Sequence, residues 1–257
     1  MNQVIAKVID NHEVAPDIFL MSLEPLNMVF SVQPGQFVMV LCGEDTLLRR
    51  PLSIHHLDDK TGKFSVLYSK VGKGTYWLSQ RQPGDKIDII GPLGNGFSIL
   101  PNIQNILIIA GGMGIAPLYF LGDEAQKKGY QVTLLIGAIK ANQLLEHTLK
   151  LPVKYVTATE DGSLGYHGMI TDCVSEQVNS NSQVFTCGPI QMYRTLANMP
   201  ILNDKPTQIS LETRMGCGLG VCYGCAVRTR NGLKQVCQDG PIFNLEDIIW
   251  DDFIDSL

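Results

Sequence analysis

Apolar and polar positions follow one rhythm up to residue 100 and another after it. In the first part the apolar stretches are short, at 4–9, 18–23, 37–41, 64–69 and 86–90. Turn residues separate them: Asn11 and His12, then Pro34 and Gly35, then Pro83, Gly84 and Asp85. Many short strands with regular turn signals predict an antiparallel barrel or sandwich. Only 75–80, opening just after Gly74, reads as helix here.

The rhythm changes after Gly94, Asn95 and Gly96. A compact aliphatic strand at 105–110 runs into a glycine turn and an apolar helical stretch ending near Lys128. Strands at 131–136, 153–158 and 183–187 then alternate with helices at 143–148, 167–178 and 190–198. That alternation predicts βαβ units and a parallel sheet. From Gln208 the chain is dominated by cysteine and glycine, and no internal repeat is visible. The expected fold class is mixed β and α/β: an antiparallel barrel over 1–100, a parallel α/β domain over 101–207 and a small cysteine module over 208–257.

The module holds Cys217, Cys222, Cys225 and Cys237, four of the seven cysteines, spaced C-x4-C-x2-C-x11-C. A tight loop with three thiolates, closed by a fourth from a later strand, suits a [2Fe–2S] cluster. Gly216, Gly218, Gly220 and Gly224 let the backbone wrap around it. Structural zinc is the plainer alternative, although zinc ligands usually come as two C-x2-4-C knuckles. A disulfide framework suits small secreted chains. Cys42, Cys173 and Cys187 are scattered singly, which fits a reducing cytoplasm.

Composition narrows the function classes. The net charge of −5 gives no basic face for nucleic acid. The N-terminal residues lack the pattern of a signal peptide, and apolar runs such as 106–110 are too short to cross a bilayer.

Three further constellations carry chemistry. Arg49 and Arg50 precede Pro51, Leu52 and Ser53, and a guanidinium offers a planar fork suited to phosphate. Paired arginines are also often simply solvated. Gly72, Lys73, Gly74 and Thr75 open a helix, where free N–H groups favour phosphate; a tight structural turn is the alternative. Together the two fit the pyrophosphate of a flavin dinucleotide. Third, residues 111–117 (GGMGIAP) follow a strand directly, so Gly112, Met113 and Gly114 open the first helix of the parallel sheet. A dinucleotide phosphate is expected there, although Pro117 stands where the usual fingerprint has a third glycine. Cys187, Gly188 and Pro189 end the fourth strand, where such sheets place their ligand crevice. Cys187 alone reads equally as a buried small hydrophobe.

These runs, at 50–53, 72–75, 111–117 and 187–189, resemble the ferredoxin reductase superfamily. With the cysteine array appended, the chain is similar to one branch of it, the electron-transfer subunits of NAD-linked dihydroorotate dehydrogenase B. Residues 160–168 (EDGSLGYHG) and 239–243 (DGPIF) also resemble that branch. The resemblance implies a flavin-binding barrel, a nicotinamide-binding sheet and a cluster module carrying FAD, NAD and [2Fe–2S]. It implies that Arg50 binds the FAD pyrophosphate and that Ser53 lies near the reactive flavin edge beside Pro51 and Leu52. Leu52 stands where many superfamily members have a flavin-stacking tyrosine. Leu67, Tyr68 and Ser69 are implied as backbone contacts to the flavin, with Gly74 and Thr75 on its phosphates. Gly112, Met113 and Gly114 are implied to face the nicotinamide dinucleotide, with Cys187 near the hydride path and Cys217, Cys222, Cys225 and Cys237 as cluster ligands.

The implied partner is a separate FMN-containing dihydroorotate dehydrogenase catalytic subunit, in a heterotetramer with two copies of each. Electrons are expected to pass between that subunit and NAD(H), in pyrimidine biosynthesis. No acid–base residue for dihydroorotate itself is identifiable. A reductase subunit of a hydrogenase or ferredoxin oxidoreductase complex remains an alternative, as does a non-catalytic zinc module. The second sheet strand ends without an obvious acid for a ribose hydroxyl, and Lys140 follows it. The C-terminal stretch 243–257 mixes acids with Ile248, Ile249, Trp250, Phe253 and Ile254, and suits either an interface or packing on its own domain.

Overall fold

The computed structural model describes residues 2–26, 31–145 and 151–252. Six strands close into an antiparallel barrel: β1 (Asn2–Ala15), β2 (Ile18–Pro25), β3 (Phe37–Val40), β4 (Arg50–Asp58), β5 (Lys63–Ser69) and β6 (Lys86–Leu93), in the order β1-β2-β5-β4-β3-β6. In β6, buried Ile87 and Ile89 alternate with outward Lys86 and Asp88, the two-residue period of a strand with one face in a core. Helix α1 (Lys73–Ser79) follows β5.

Two expectations change. Asn11 and His12 are not a turn: they continue β1, paired with Met21 and Leu20. Asn11 is polar because it is a clamp. Its amide donates to the Leu78 and Arg81 carbonyls at 3.0 Å each and accepts from the Tyr68 hydroxyl at 3.0 Å. The second change is β4, a full strand where the sequence offered only the 50–53 motif.

The second layer system is β7 (Asn105–Gly111), α2 (Ile115–Lys127), β8 (Gln131–Ala138), β9 (Lys154–Thr159), β10 (Tyr166–His167), α3 (Val174–Gln177), β11 (Ser182–Cys187), α4 (Ile190–Ala197) and β12 (Thr207–Ser210). All six residues of β11 are buried, as are the five inner residues of β7, since helices cover both faces of a parallel sheet. Past β12 come the hairpin β13 (Ala226–Thr229) and β14 (Gly232–Gln235), then β15 (Ile242–Asn244). The sheet order is β10-β9-β8-β7-β11-β12-β15, with β15 antiparallel to β12. β7 and β11 are parallel, but the order in which strands are added reverses between them, which places a ligand crevice beyond Gly111 and Cys187.

The helix expected at 167–178 is broken. Tyr166 and His167 form edge strand β10, Gly168 has φ +146°, and a 3-10 turn (Ile170–Cys173) precedes the short α3. At 143–148, a 3-10 turn (Ala141–Gln143) gives way to extended Leu144, and 146–148 lie outside the described residues. Of the C-terminal stretch, Trp250 stacks on Tyr193 at 5.4 Å and Ile248 is buried, so this part packs on its own fold. Phe253 and Ile254 lie outside the described residues.

The module is tied to both larger units. Its β15 extends the parallel sheet, and Asn95 at the end of the barrel donates from Nδ2 to the Asp239 carbonyl at 2.9 Å and from its N–H to Gly240 at 2.7 Å.

Candidate functional site

The paired arginines divide their work. Arg49 Nη1 lies 3.0 Å from Asp88 Oδ1 and 3.1 Å from the Asp88 carbonyl, so it ties the start of β4 to β6. Arg50 is paired with no carboxylate among the described residues, and its Nη1 donates to the Leu48 carbonyl. Its side chain lies over the first turn of α1: a Cβ built on Gly74 would come 3.1 Å from Arg50 Nε. The two phosphate candidates therefore form one cradle, with a guanidinium on one side and a helix start on the other. Thr75 Oγ1 accepts from the Val71 and Gly72 N–H groups at 2.9 and 3.2 Å. That bond fixes the turn, leaving backbone N–H groups as the donors at this helix start.

Pro51, Leu52 and Ser53 continue β4 half-buried, paired with Met39, Val38 and Phe37 of β3. Leu67 and Tyr68 are buried in β5, whereas Ser69 is half-buried at its end. The Tyr68 hydroxyl is held by Asn11 and its ring stacks on Phe19 at 5.8 Å. Leu67 and Tyr68 therefore offer a ligand only their backbone.

A cleft of about 730 Å³ opens between barrel and sheet. Ser69 and Lys70 line one side, Gly112, Met113 and Gly114 the floor, and Glu160 and Met169 the far end. A Cβ at Gly114 would collide with the Cys187 carbonyl, so glycine alone lets the loop pass under β11. Cys187 itself does not line the cleft. Its thiol is fully buried and donates to Glu212 Oε1 at 3.9 Å, and Glu212 faces the cleft. Burial, then the neighbouring Glu212 carboxylate, push the thiol pKa well up, so Cys187 is a neutral donor. Glu212 is itself raised, by the protein packed around the carboxylate. Its residue surface still opens to the cleft, so the effect is smaller than full burial would give. The Thr186 and Thr213 hydroxyls, each next in sequence to one member of this pair, are buried without a partner.

Glu212 was not singled out in the sequence. It stands alone between β12 and the cysteines and gains meaning only from Cys187. Glu160 lines the cleft just past β9, its N–H bonded to the Ala138 carbonyl at 3.1 Å. Lys140 is not on the cleft wall; it sits near Asp161, whose pKa is lowered first by hydrogen bonds from Ser163 and then, more weakly, by Lys140.

The four module cysteines come together, and Cys237 also lies close enough to Cys217 to feel its charge. Cys217 interacts with Cys222 through the side chain, and Cys237 with Cys225. Backbone N–H groups reach the sulfurs: Leu219 to Cys217 at 3.3 Å, Gly220 to Cys237 at 3.2 Å and Gly224 to Cys222 at 3.4 Å. At Cys217 desolvation opposes the thiolate, yet the N–H groups of Leu219, Cys222 and Val221 bring its pKa down to about 6. Burial and the adjacent thiols push Cys237 up to about 12, a crowding that bound cationic metal relieves. Three thiols on one tight loop with a fourth from a later strand, and backbone N–H groups on the sulfurs, fit a two-iron cluster. Cys225 and Cys237 are buried and Cys222 is exposed. The loop rests on the barrel: a Cβ at Gly218 would come 2.6 Å from Met39 Cγ, and Met39 pairs with Pro51.

Barrel, crevice and cysteine loop together define a flavin reductase of the ferredoxin reductase type with an appended iron–sulfur module. The oxidoreductase FAD-binding domain family matches residues 5–97, and the iron–sulfur cluster binding domain of dihydroorotate dehydrogenase B matches residues 212–249. The dihydroorotate dehydrogenase B (NAD(+)) electron transfer subunit of Desulforamulus reducens is 37% identical over 256 residues, covering 96% of this chain and 98% of that one. Its counterpart from Geobacillus kaustophilus is 40% identical over 225 residues, covering 84% and 87%. A solved NADH-dependent reduced ferredoxin-NADP oxidoreductase, studied for flavin-based electron bifurcation, superposes with a TM-score of 0.86 at 28% identity, over 96% of this chain and 90% of that one. The chain belongs to the family of dihydroorotate dehydrogenase B electron transfer subunits.

Proposed function

We propose that this chain carries electrons between NAD(H) and an FMN-containing dihydroorotate dehydrogenase catalytic subunit, through FAD and a [2Fe–2S] cluster. When bound, FAD links the two-electron chemistry of nicotinamide to the one-electron chemistry of the cluster. The observation that carries this reading is Met39. It belongs to the strand paired with Arg50–Ser53, and Gly218 of the cysteine loop packs directly on it. The flavin strand and the cluster loop thus meet on one wall of the barrel.

The residues divide as follows. Residues 1–100 hold FAD, with Arg50 and the N–H groups at Gly74 and Thr75 on the pyrophosphate, Pro51, Leu52 and Ser53 along the ring, and the backbone of Leu67, Tyr68 and Ser69 at its edge. Residues 101–207 bind the nicotinamide dinucleotide over Gly112, Met113 and Gly114, with Cys187 orienting Glu212 beside it. Residues 208–257 hold the cluster through Cys217, Cys222, Cys225 and Cys237. Glu160 at the far end of the cleft favours NAD, because its carboxylate accepts from a ribose hydroxyl and repels a 2′-phosphate. Exposed Val221 and Tyr223 beside Cys222 offer the partner an apolar contact. The assembly is a heterotetramer with two copies of each subunit. Among the described residues no helix is long and apolar enough to cross a membrane, and the reading places the complex in the cytoplasm.

Purification from native lysate tests the partner. Recovery of an FMN protein that reduces NAD+ only with dihydroorotate and this chain together is the expected result. The 28% identical ferredoxin-NADP oxidoreductase favours a second reading, a subunit of such a complex. Co-purification with a ferredoxin-dependent or hydrogenase subunit and no FMN protein would select it.

A further inference from the structure

His55 has no role in the functions above, yet it is a buried imidazole, 3% exposed, two residues beyond Ser53 on the flavin strand β4. Its Nδ1 lies 3.0 Å from the carbonyl oxygen of Ala116, two residues beyond Gly114 in the first turn of α2. The ring stacks on Tyr119 at 4.5 Å and 22°. Burial lowers its pKa to about 4, so at neutral pH the imidazole is uncharged; with Ala116 O as acceptor, Nδ1 carries the proton. One turn further, His56 Nε2 meets Asp123 Oδ2 at 3.2 Å, and Phe120 joins the barrel core while Leu118 and Leu121 join the sheet core. Helix α2 is therefore shared between both units.

We propose that His55 is a positioning residue for hydride transfer between nicotinamide and flavin: its hydrogen bond to Ala116 fixes where the nucleotide loop stands relative to the flavin strand. A leucine or phenylalanine would fill the same space without the cost of burying a polar ring. What the imidazole adds is direction, because an N–H···O bond sets the register of helix against strand and apolar contact does not. A one-residue slide of a helix is about 1.5 Å, and a misplacement of about 1 Å between reacting groups can cost on the order of 100-fold in rate. The Phe120 and Asp123 contacts hold the helix to the barrel, and His55 sets the end nearest the cleft. This role rests on residues 112–114 binding the nicotinamide dinucleotide.

The test uses the holoprotein and stopped-flow reduction of its flavin by NADH. His55→Phe keeps a ring and loses the donor, whereas His55→Asn puts an amide N–H near the Nδ1 position. In His55→Phe the limiting reduction rate is expected to fall roughly 10- to 100-fold, with a weaker nicotinamide–flavin charge-transfer band, while NADH affinity and FAD content stay unchanged. His55→Asn should recover most of both. His55→Leu, also lacking the donor, replaces His55→Phe if that variant does not fold. An unchanged rate and band with only a lowered Tm would overturn the role, leaving a structural histidine. Equal slowing in the Asn and donor-less variants would overturn it too, since bulk would then matter and not the bond. A wild-type flavin that NADH does not reduce would instead sink the nucleotide reading beneath it.

Discussion

Two cysteine sites in this chain sit at opposite ends of the electron path and are built in opposite ways. Cys187 is sealed beneath the nucleotide loop, and burial holds it as a neutral thiol against Glu212. Cys217 and Cys222 lie on an open loop, where N–H groups bring Cys217 down to about 6 and Cys222 is exposed. Reactivity follows environment, since only the thiolate is a good metal ligand. The nucleotide end is a cleft between barrel and sheet. The cluster end is an open edge that a partner can touch.

That contrast is broken most severely at the buried side of the cluster end. Cys225→Ser should lose the cluster, with iron at background and the broad visible absorption gone, while FAD stays bound. Loss of flavin as well would mean that the two ends are not separable. Next, Gly114→Ala drives a methyl into the Cys187 carbonyl. NADH-driven flavin reduction should drop on the order of 100-fold, while dithionite still reduces the cluster normally. Arg50→Ala should weaken FAD binding roughly 10- to 100-fold, from about 1.5–3 kcal/mol for a charge-assisted hydrogen bond. Arg49→Ala should leave FAD affinity alone and lower stability by about 1–3 kcal/mol, because it removes the cation beside Asp88 and leaves only Gln3 on that carboxylate. Equal effects of the two on FAD titration would refute the division between them.

The smallest effect concerns pH. The folded-state pKa of Glu212 is raised by its surroundings, with the Cys187 hydrogen bond acting against the shift. The folded protein then binds this proton more readily than the unfolded chain, so the group costs nothing below the unfolded value near 4.5. Stability is lost as pH rises from there through the folded value. Glu212→Gln should therefore raise Tm slightly at pH 8 and leave it unchanged at pH 4, as thermal unfolding at both values would show.

Much of the site was legible because its parts are short contiguous runs with fixed chemistry. The cysteine spacing, GGMG after an aliphatic strand and arginine before proline each announce a local geometry. What depends on distant partners was not legible. Glu212 acquires its surroundings from Cys187, His55 from Ala116, and Asn11 from α1 and Tyr68. Asn11 read as a turn because a polar residue inside a strand makes sense only with its clamp in view. The helix expected at 167–178 failed because Ile170 and Val174 mimic helical spacing, while Gly168 and the Asp172 bond to the Met169 N–H restart the chain at a 3-10 turn. Strand β15 is three residues long and has no pattern of its own until β12 stands beside it.

The central claim is that one chain connects a nucleotide cleft to an exposed cluster by way of a flavin strand. Anaerobic titration with NADH, followed by visible absorbance and by electron paramagnetic resonance, tests it most directly. The expected result is bleaching of the flavin band together with a reduced-cluster signal drawn from the same NADH. A flavin that bleaches while a dithionite-reducible cluster stays oxidised in excess NADH would contradict it.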